Sequence, residues 1–198
     1  MRTENKEKWL SATAVALLVT ATLLLFIPSQ IYLNNALDFS YYYREIVACL
    51  LWVTVPFFLV LGAILGFSSR KHNCHARLTA FFFALGFLLW LQANVLLWNL
   101  GSFNGRDIEW GKLTAMGIID STIWVVIFIL SQWKFAFFYK ISRRVSYFLL
   151  ILQLLLTAFY WLRLPDLSDF KKFAVDHQTR FVFSAKKNVI FLLIDNFE

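Results

Sequence analysis

Five long apolar runs constrain this chain more than any other feature of its sequence. A helix that crosses a hydrocarbon core of about 30 Å needs roughly 20 mostly apolar residues, because each residue adds about 1.5 Å of length. Five segments meet that condition, at residues 9–27, 46–67, 78–100, 113–133 and 145–162. We therefore predict an all-α integral membrane domain over residues 1–162, with five transmembrane helices. Pro28 is expected to end the first helix, and Pro56 lies inside the second.

The composition agrees with a membrane protein and disfavours other classes. The chain is 60% hydrophobic and only 16% charged, whereas soluble domains have a charged fraction of about 25%. The net charge of +7 is spread over several loops between the apolar runs. Nucleic-acid binding instead needs basic residues gathered on one surface. We therefore expect the lipid bilayer as partner, and no nucleic acid.

Lysine and arginine residues predict which side of the membrane each loop faces. Five alternating spans place ten of these residues on one side and three on the other. The ten are Arg2, Lys6, Lys8, Arg70, Lys71, Arg77, Lys134, Lys140, Arg143 and Arg144, and the three are Arg44, Arg106 and Lys112. Because basic loop residues are retained in the cytoplasm, we predict a cytoplasmic N-terminus and an extracytoplasmic C-terminus.

The sequence changes character after the fifth run. Residues 163–187 mix charges with aromatic side chains, which is typical of a solvated linker or of a short amphipathic helix at the membrane surface. Residues 188–194 are then continuously apolar, as in a strand buried on both faces of a parallel sheet. Functional groups cluster just beyond the carboxyl ends of such strands, and Asp195 occupies that position. Its carboxylate suits a hard cation; the alternative is that Asp195 begins a turn.

The closing sequence "KKNVIFLLIDNFE" resembles the first strand of the alkaline phosphatase/sulfatase superfamily, in which an apolar strand ends in an acidic metal ligand. Five spans, a linker and this strand are also similar in layout to lipoteichoic acid synthases and related membrane-bound proteins. The stretch "WLQANVLLWNLGSFNGRDIEW" is similar to a span and loop of that group.

This resemblance implies a membrane-anchor region of a sulfatase-like hydrolase or phospho-group transferase that acts on the outer side of a bacterial cytoplasmic (inner) membrane. It implies Asp195 as a metal ligand, a divalent metal ion as cofactor of the full-length parent, and a lipid-linked or glycan substrate. The family's hydroxyl nucleophile lies further along the chain than residue 198. Residues 188–198 would then be the first strand of an incomplete α/β domain, and the 198 residues would contain no catalytic residue, need no cofactor and have no turnover.

Several polar residues fall inside the predicted spans. Asp120 lies in the fourth, where an ionisable group is costly and faces a bundle interior or a wet cavity. It is a candidate substrate-binding residue, and the alternative is a hydrogen bond to a neighbouring helix. Gln92 and Asn99 share one face of the third span, and Asn94 and Trp98 share another. We expect the amides to bond between helices, with Gln153 of the fifth span as a partner for one of them.

A small cluster of potential metal ligands lies between the second and third runs. His72, Cys74 and His75 are close in sequence, but a closed zinc site needs four ligands and no second cluster of Cys or His follows. A basic loop near anionic lipid explains these residues better.

The alternative function is a self-standing small membrane protein, such as a transporter subunit or an assembly partner. Asp120 and the amides of the third span would then line a pathway through the bundle. The sequence leaves the oligomeric state open.

Overall fold

A computed structural model of the chain describes residues 2–36, 39, 41–96 and 110–164. Within these ranges all regular secondary structure is helical. The elements are α1 (Arg2–Ala21), a π-helical turn (Thr22–Phe26), α2 (Ile27–Asn34), α3 (Tyr43–Ser68), α4 (His72–Asn94), α5 (Trp110–Trp133) and α6 (Phe135–Leu162). The strand and Asp195 predicted within 188–198, and the linker from residue 165, lie outside the described ranges.

Within the described ranges, five helices are long and apolar enough to cross a membrane. They are Lys6–Asn34, which joins α1, the π-helical turn and α2, and then Tyr43–Ser68, Asn73–Asn94, Thr114–Trp133 and Phe135–Leu162. The prediction of an all-α domain with five membrane-length helices is confirmed. Only 6% of the apolar window is buried in each of α3 and α5, and side chains such as Trp52 and Ile118 are exposed. Apolar surface of this extent is compatible with a multi-pass membrane protein.

The first helix does not end at Pro28, contrary to the sequence prediction. In a regular α-helix the proline ring would clash with the carbonyl group of Leu24, four residues earlier. The chain widens into a π-helical turn at this point, and the N–H group of Ile27 bonds to the carbonyl oxygen of Thr22, five residues back. Because the wider turn accommodates Pro28, the helix continues to Asn34.

The core lies around α1, which packs against α3, α4 and α6. Small side chains allow the close approach of these helices. On α4, Ala76, Ala80 and Ala84 recur every four residues and are almost fully buried. Further along α4 is Gly86, where an added Cβ would lie 2.9 Å from the buried Leu18 of α1. The space between α1 and α4 is therefore filled.

All five long helices of the described ranges begin before the apolar runs predict, as α4 and α6 show clearly. α4 begins at His72 rather than at residue 78, and its described helix ends at Asn94. α6 begins at Phe135 rather than at residue 145, so that only Lys134 separates it from α5. The 28 residues of α6 span about 42 Å, which is longer than the roughly 30 Å of a hydrocarbon core. Its first turns carry the basic residues that interrupt the apolar run.

Interhelical bonds identify two ends of the bundle. At one end, which we name the Lys134 end, Arg143 of α6 forms an ion pair with Glu7 of α1, and Gln132 of α5 donates to the carbonyl oxygen of Arg77 of α4. The opposite end, at which α2, α4 and α6 terminate, is named the Leu162 end. Basic residues from three separate segments that the sequence assigns to one side therefore meet at the Lys134 end.

Candidate functional site

Asp120 lies on α5 within a polar network that joins α5 to α4. Gln92 Nε2 donates to Asp120 Oδ2 at 3.0 Å, and Trp124 Nε1 donates to Gln92 Oε1 at 3.2 Å. Asp120 and Trp124 are four residues apart, so they share one face of the helix. The amide group of Gln92 is thus held at both its nitrogen and its oxygen by the same face of α5.

The sequence analysis gave a hydrogen bond to a neighbouring helix as the alternative role of Asp120, and the bond from Gln92 is such a bond. Substrate contact by Asp120 stays a prediction. Of the other expected amide positions in the third span, Asn99 and the neighbouring Trp98 lie outside the described residues.

A second amide bridge joins α2 to α4. Gln30 Nε2 donates to Asn94 Oδ1 at 3.4 Å, and Asn94 Nδ2 donates to the carbonyl oxygen of Trp90 at 2.8 Å. Sequence reasoning missed Gln30 because it placed the helix end at Pro28. The signal was present, since Gln30 and Asn34 are four residues apart and share a face if the helix continues.

These bridges border a groove at the Leu162 end, between α2, α4 and α6. Its volume is about 510 Å³. Six polar side chains line it: Gln30, Asn34, Asn35, Gln92, Asn94 and Tyr160. Within the described ranges the lining contains amides and one phenol but no charged side chain. The groove can therefore offer hydrogen bonds in both directions without offering a formal charge.

A buried polar contact lies deeper in the bundle, at the π-helical turn. Thr22 Oγ1 donates to Gln153 Oε1 of α6 at 3.1 Å, and both side chains are almost fully buried. Among the described residues, Gln92 and Asn94 bond to other partners, so a pairing of Gln153 with Asn99, which lies outside the described residues, stays a prediction. The irregular turn brings Thr22 to α6, and the bond fixes the part of the first helix that Pro28 perturbs.

His75, which the sequence placed in a basic loop, is buried inside α4. Its Nδ1 atom lies 3.0 Å from Ser68 Oγ and 3.1 Å from the carbonyl oxygen of Leu65. The Ser68 hydroxyl also donates to that carbonyl oxygen. The carbonyl can only accept, so these contacts place the proton of the imidazole on Nδ1. His75 thereby ties the last turn of α3 to the start of α4.

The arrangement around His75 does not favour a zinc site formed by His72, Cys74 and His75. Cys74 is exposed whereas His75 is fully buried, and adjacent residues on a helix point about 100° apart. The side chain of His72 is outside the description. No group of three His, Cys, Asp or Glu among the described residues could hold a metal ion.

The predicted metal ligand Asp195 cannot be placed in this geometry, since it lies beyond residue 164. No protein-family model, curated protein or solved structure matches this chain.

Proposed function

We propose that this chain is the membrane domain of a sulfatase-like hydrolase or phospho-group transferase that acts outside the cytoplasmic membrane. The observation that carries the proposal is the position of the groove. It opens at the end of the bundle where α6 terminates at Leu162, from which the chain continues toward the sulfatase-like sequence ending in Asp195.

The proposed orientation is a cytoplasmic Lys134 end and an extracytoplasmic Leu162 end. It is supported by the basic residues of the Lys134 end, since such residues are retained in the cytoplasm. An odd number of crossings then carries residues after Leu162 to the outside. The proposed setting is a bacterial inner membrane.

Each part of the chain has a role in this proposal. The helices anchor the protein, and the groove together with Asp120 presents a lipid-linked or glycan substrate. Asp195 contributes one hard oxygen ligand, which fits a divalent cation that would polarise a phosphate or sulfate ester. The resemblance implies further Asp and His ligands and a hydroxyl nucleophile in addition to Asp195.

The orientation is tested with paired reporter fusions. A secreted phosphatase reporter is active only outside the cytoplasm, and a green fluorescent protein exported in unfolded form fluoresces only inside it. Fused after residue 164, the phosphatase should be active and the fluorescent protein dark. Fusions after Ser69, in the turn between α3 and α4, provide the matched control and should give the opposite pattern. Fluorescence from the fusion after residue 164 would contradict the proposal.

The proposed catalytic domain is tested by sequencing the transcript. Sequencing downstream of codon 198 should reveal an open frame that encodes an α/β domain with a Thr or Ser nucleophile and further Asp and His ligands. A stop codon with no such frame nearby would favour a self-standing membrane protein instead.

A further inference from the structure

The π-helical turn of the first helix leaves backbone carbonyl groups without donors. The wide turn closes with the bond from the Ile27 N–H group to Thr22, and α2 then begins with the carbonyl group of Phe26 as its first acceptor. The carbonyl groups of residues 23–25 lie between these bonds. Only one N–H group, from the residue after Pro28, remains for them, since proline has none. At least two of these carbonyl oxygens therefore have no donor from the described backbone.

Such a deficit is costly inside a bilayer, where bulk water does not reach the backbone. A proline in a transmembrane helix is tolerated because neighbouring helices, hydroxyl side chains or ordered water supply the missing donors. The hydroxyl groups close to this turn donate elsewhere: Thr20 donates to the carbonyl oxygen of Ala16, and Thr22 donates to Gln153. The donors for residues 23–25 must therefore come from another source.

Gln153 of α6 has the opposite deficit. Its Oε1 atom accepts from Thr22 at 3.1 Å, whereas its Nε2 atom is buried and has no hydrogen-bond partner within the described ranges. The whole side chain is only 1% exposed. Thr157 lies one turn further along the same face of α6, and its buried hydroxyl oxygen also has no partner among the described residues. This face of α6 thus has buried donors and needs acceptors.

A water molecule can satisfy both deficits, because it accepts from N–H groups and donates to carbonyl groups. The two sets of groups face each other, since Thr22, the first residue of the turn, is in contact with Gln153. A buried water typically makes about three hydrogen bonds, and the amide of Gln153, a carbonyl group of the turn and the hydroxyl of Thr157 provide three. The N–H group of Gln153 disfavours a cation at this position, and the carbonyl oxygens disfavour an anion.

We propose that a structural water molecule binds between the π-helical turn and α6. It accepts from Gln153 Nε2, donates to one of the carbonyl groups of residues 23–25 and bonds to the Thr157 hydroxyl. Water can enter from the Leu162 end, because Ile27 and Leu156, which adjoin the turn and Thr157 in sequence, line the groove.

The bound water connects the first helix to α6 at the point where Pro28 interrupts the backbone bonds. It thereby fixes the start of α2, which carries Gln30 and Asn34 of the groove wall. This site depends on the helix bundle alone, so it stands or fails independently of the proposed catalytic function.

Solid-state NMR of the 198-residue chain in liposomes tests the proposal, by measuring the transfer of water magnetisation to nitrogen-15. The side-chain amide signal of Gln153 is assigned from its loss in Gln153→Met. Transfer to this amide should be at least about threefold faster than transfer to the backbone amides of Leu149 and Leu150, because a bound water lies within hydrogen-bond distance of Nε2. Those two residues are buried on the same helix, one turn earlier.

Thr157→Val keeps the shape of the side chain and removes its hydroxyl group. Transfer to Gln153 should fall about twofold, and the unfolding equilibrium should shift about fivefold toward the unfolded state, the effect of one lost hydrogen bond. Thr20→Val is the matched control. Thr20 is also buried, but its hydroxyl already bonds to Ala16, so transfer to Gln153 should not change.

Pro28→Ala tests the backbone side of the site. The variant restores one N–H group to the turn, so one carbonyl group no longer needs water and transfer to Gln153 should fall. Unchanged transfer in this variant would mean that the water does not bond to the turn.

Two further outcomes would overturn the proposal. Transfer to Gln153 that is no faster than transfer to Leu150 would show that the site is dry, and this comparison needs no substitution beyond the assignment. A Thr157→Val variant that is as stable as the unmodified chain, or more stable, would show that the hydroxyl of Thr157 bonds to no water.

Discussion

The two ends of the bundle differ in what surrounds their cavities. At the Lys134 end the turn between α3 and α4 is tightly packed, and a mostly apolar cavity of about 570 Å³ lies beside α4 and α5. At the Leu162 end a groove lined by amides lies between α2, α4 and α6. Near the Lys134 end, His75 and Ala76 are buried and the turn between α3 and α4 is tied by His75. At the Leu162 end, half-buried amides such as Gln92 and Asn94 bridge the helices across open space. The α4 helix contributes to both ends, whereas α2, which follows the π-helical turn, lines only the groove.

This contrast separates stability from recognition. Tight packing of small side chains stabilises a region of the fold that does not have to admit a ligand. Hydrogen bonds between transmembrane helices average only about 0.6 kcal/mol in measured cases, so the amide bridges at the Leu162 end orient side chains more than they stabilise the fold. We therefore expect substitutions at the Lys134 end to change the free energy of unfolding, and those around the groove to change ligand binding.

The largest effect is expected for His75→Ala. This change removes a fully buried ring and leaves a cavity beside the Leu65 carbonyl oxygen, which lowers the free energy of unfolding by about 3 kcal/mol. Titration with a denaturing detergent, followed by circular dichroism, measures the loss. His75→Asn keeps a donor near the position of Nδ1 and should recover part of it. Equal losses in the two variants would mean that the hydrogen bond contributes nothing.

A smaller effect is expected for Gly86→Ala, midway between the two ends. The new methyl group would lie 2.9 Å from Leu18 and 3.1 Å from Val19, and both neighbours are buried. Overpacking of this kind costs about 2 kcal/mol. Gly62→Ala is the control, because an added Cβ there has no atom within 4 Å, and it should be neutral or slightly stabilising. Equal stability of the two variants would show that α1 and α4 are loosely packed at Gly86.

The helices of this fold could be predicted from the apolar runs, but several of their limits could not. Hydropathy depends only on composition. The first helix continues past Pro28 because of a π-helical turn, which hydropathy does not predict. In the same way, Lys140 and Arg143 lower the hydropathy of the first turns of α6 without breaking the helix. Charged residues mark where a helix leaves lipid and not where it stops.

Some residues of the candidate site were predictable from the sequence, but their contacts were not. Asp120 and Gln92 stand out because polar residues are rare in apolar helices. Their pairing depends on the rotation of α4 against α5, which packing decides. Tyr160 gives no such signal, since tyrosine is common near helix ends in membranes. The metal role of Asp195 stays a prediction that rests on resemblance.

Substitutions in the polar network of Asp120, Gln92 and Trp124 should change the free energy of unfolding still less. In Asp120→Asn the new amide oxygen can still accept from Gln92 Nε2, so the free energy of unfolding should fall by less than about 1 kcal/mol. Gln92→Leu removes the bonds to both Asp120 and Trp124 and should cost about 1 kcal/mol. The same detergent titration compares them. A loss of several kcal/mol for Asp120→Asn would make the Leu162 end as important for folding as the Lys134 end.

The smallest change is expected for the ion pair between Arg143 and Glu7, although it lies at the tightly packed end. The side chains are 32% and 60% exposed, so solvent screens the pair and its coupling should be below about 0.5 kcal/mol. A double-mutant cycle with Arg143→Ala and Glu7→Ala isolates that coupling from other effects of each substitution. Repeating the cycle at high salt should reduce it further, because the Debye length falls to about 3 Å at 1 M. A coupling above about 2 kcal/mol that survives salt would show that this end is held by charge as much as by packing.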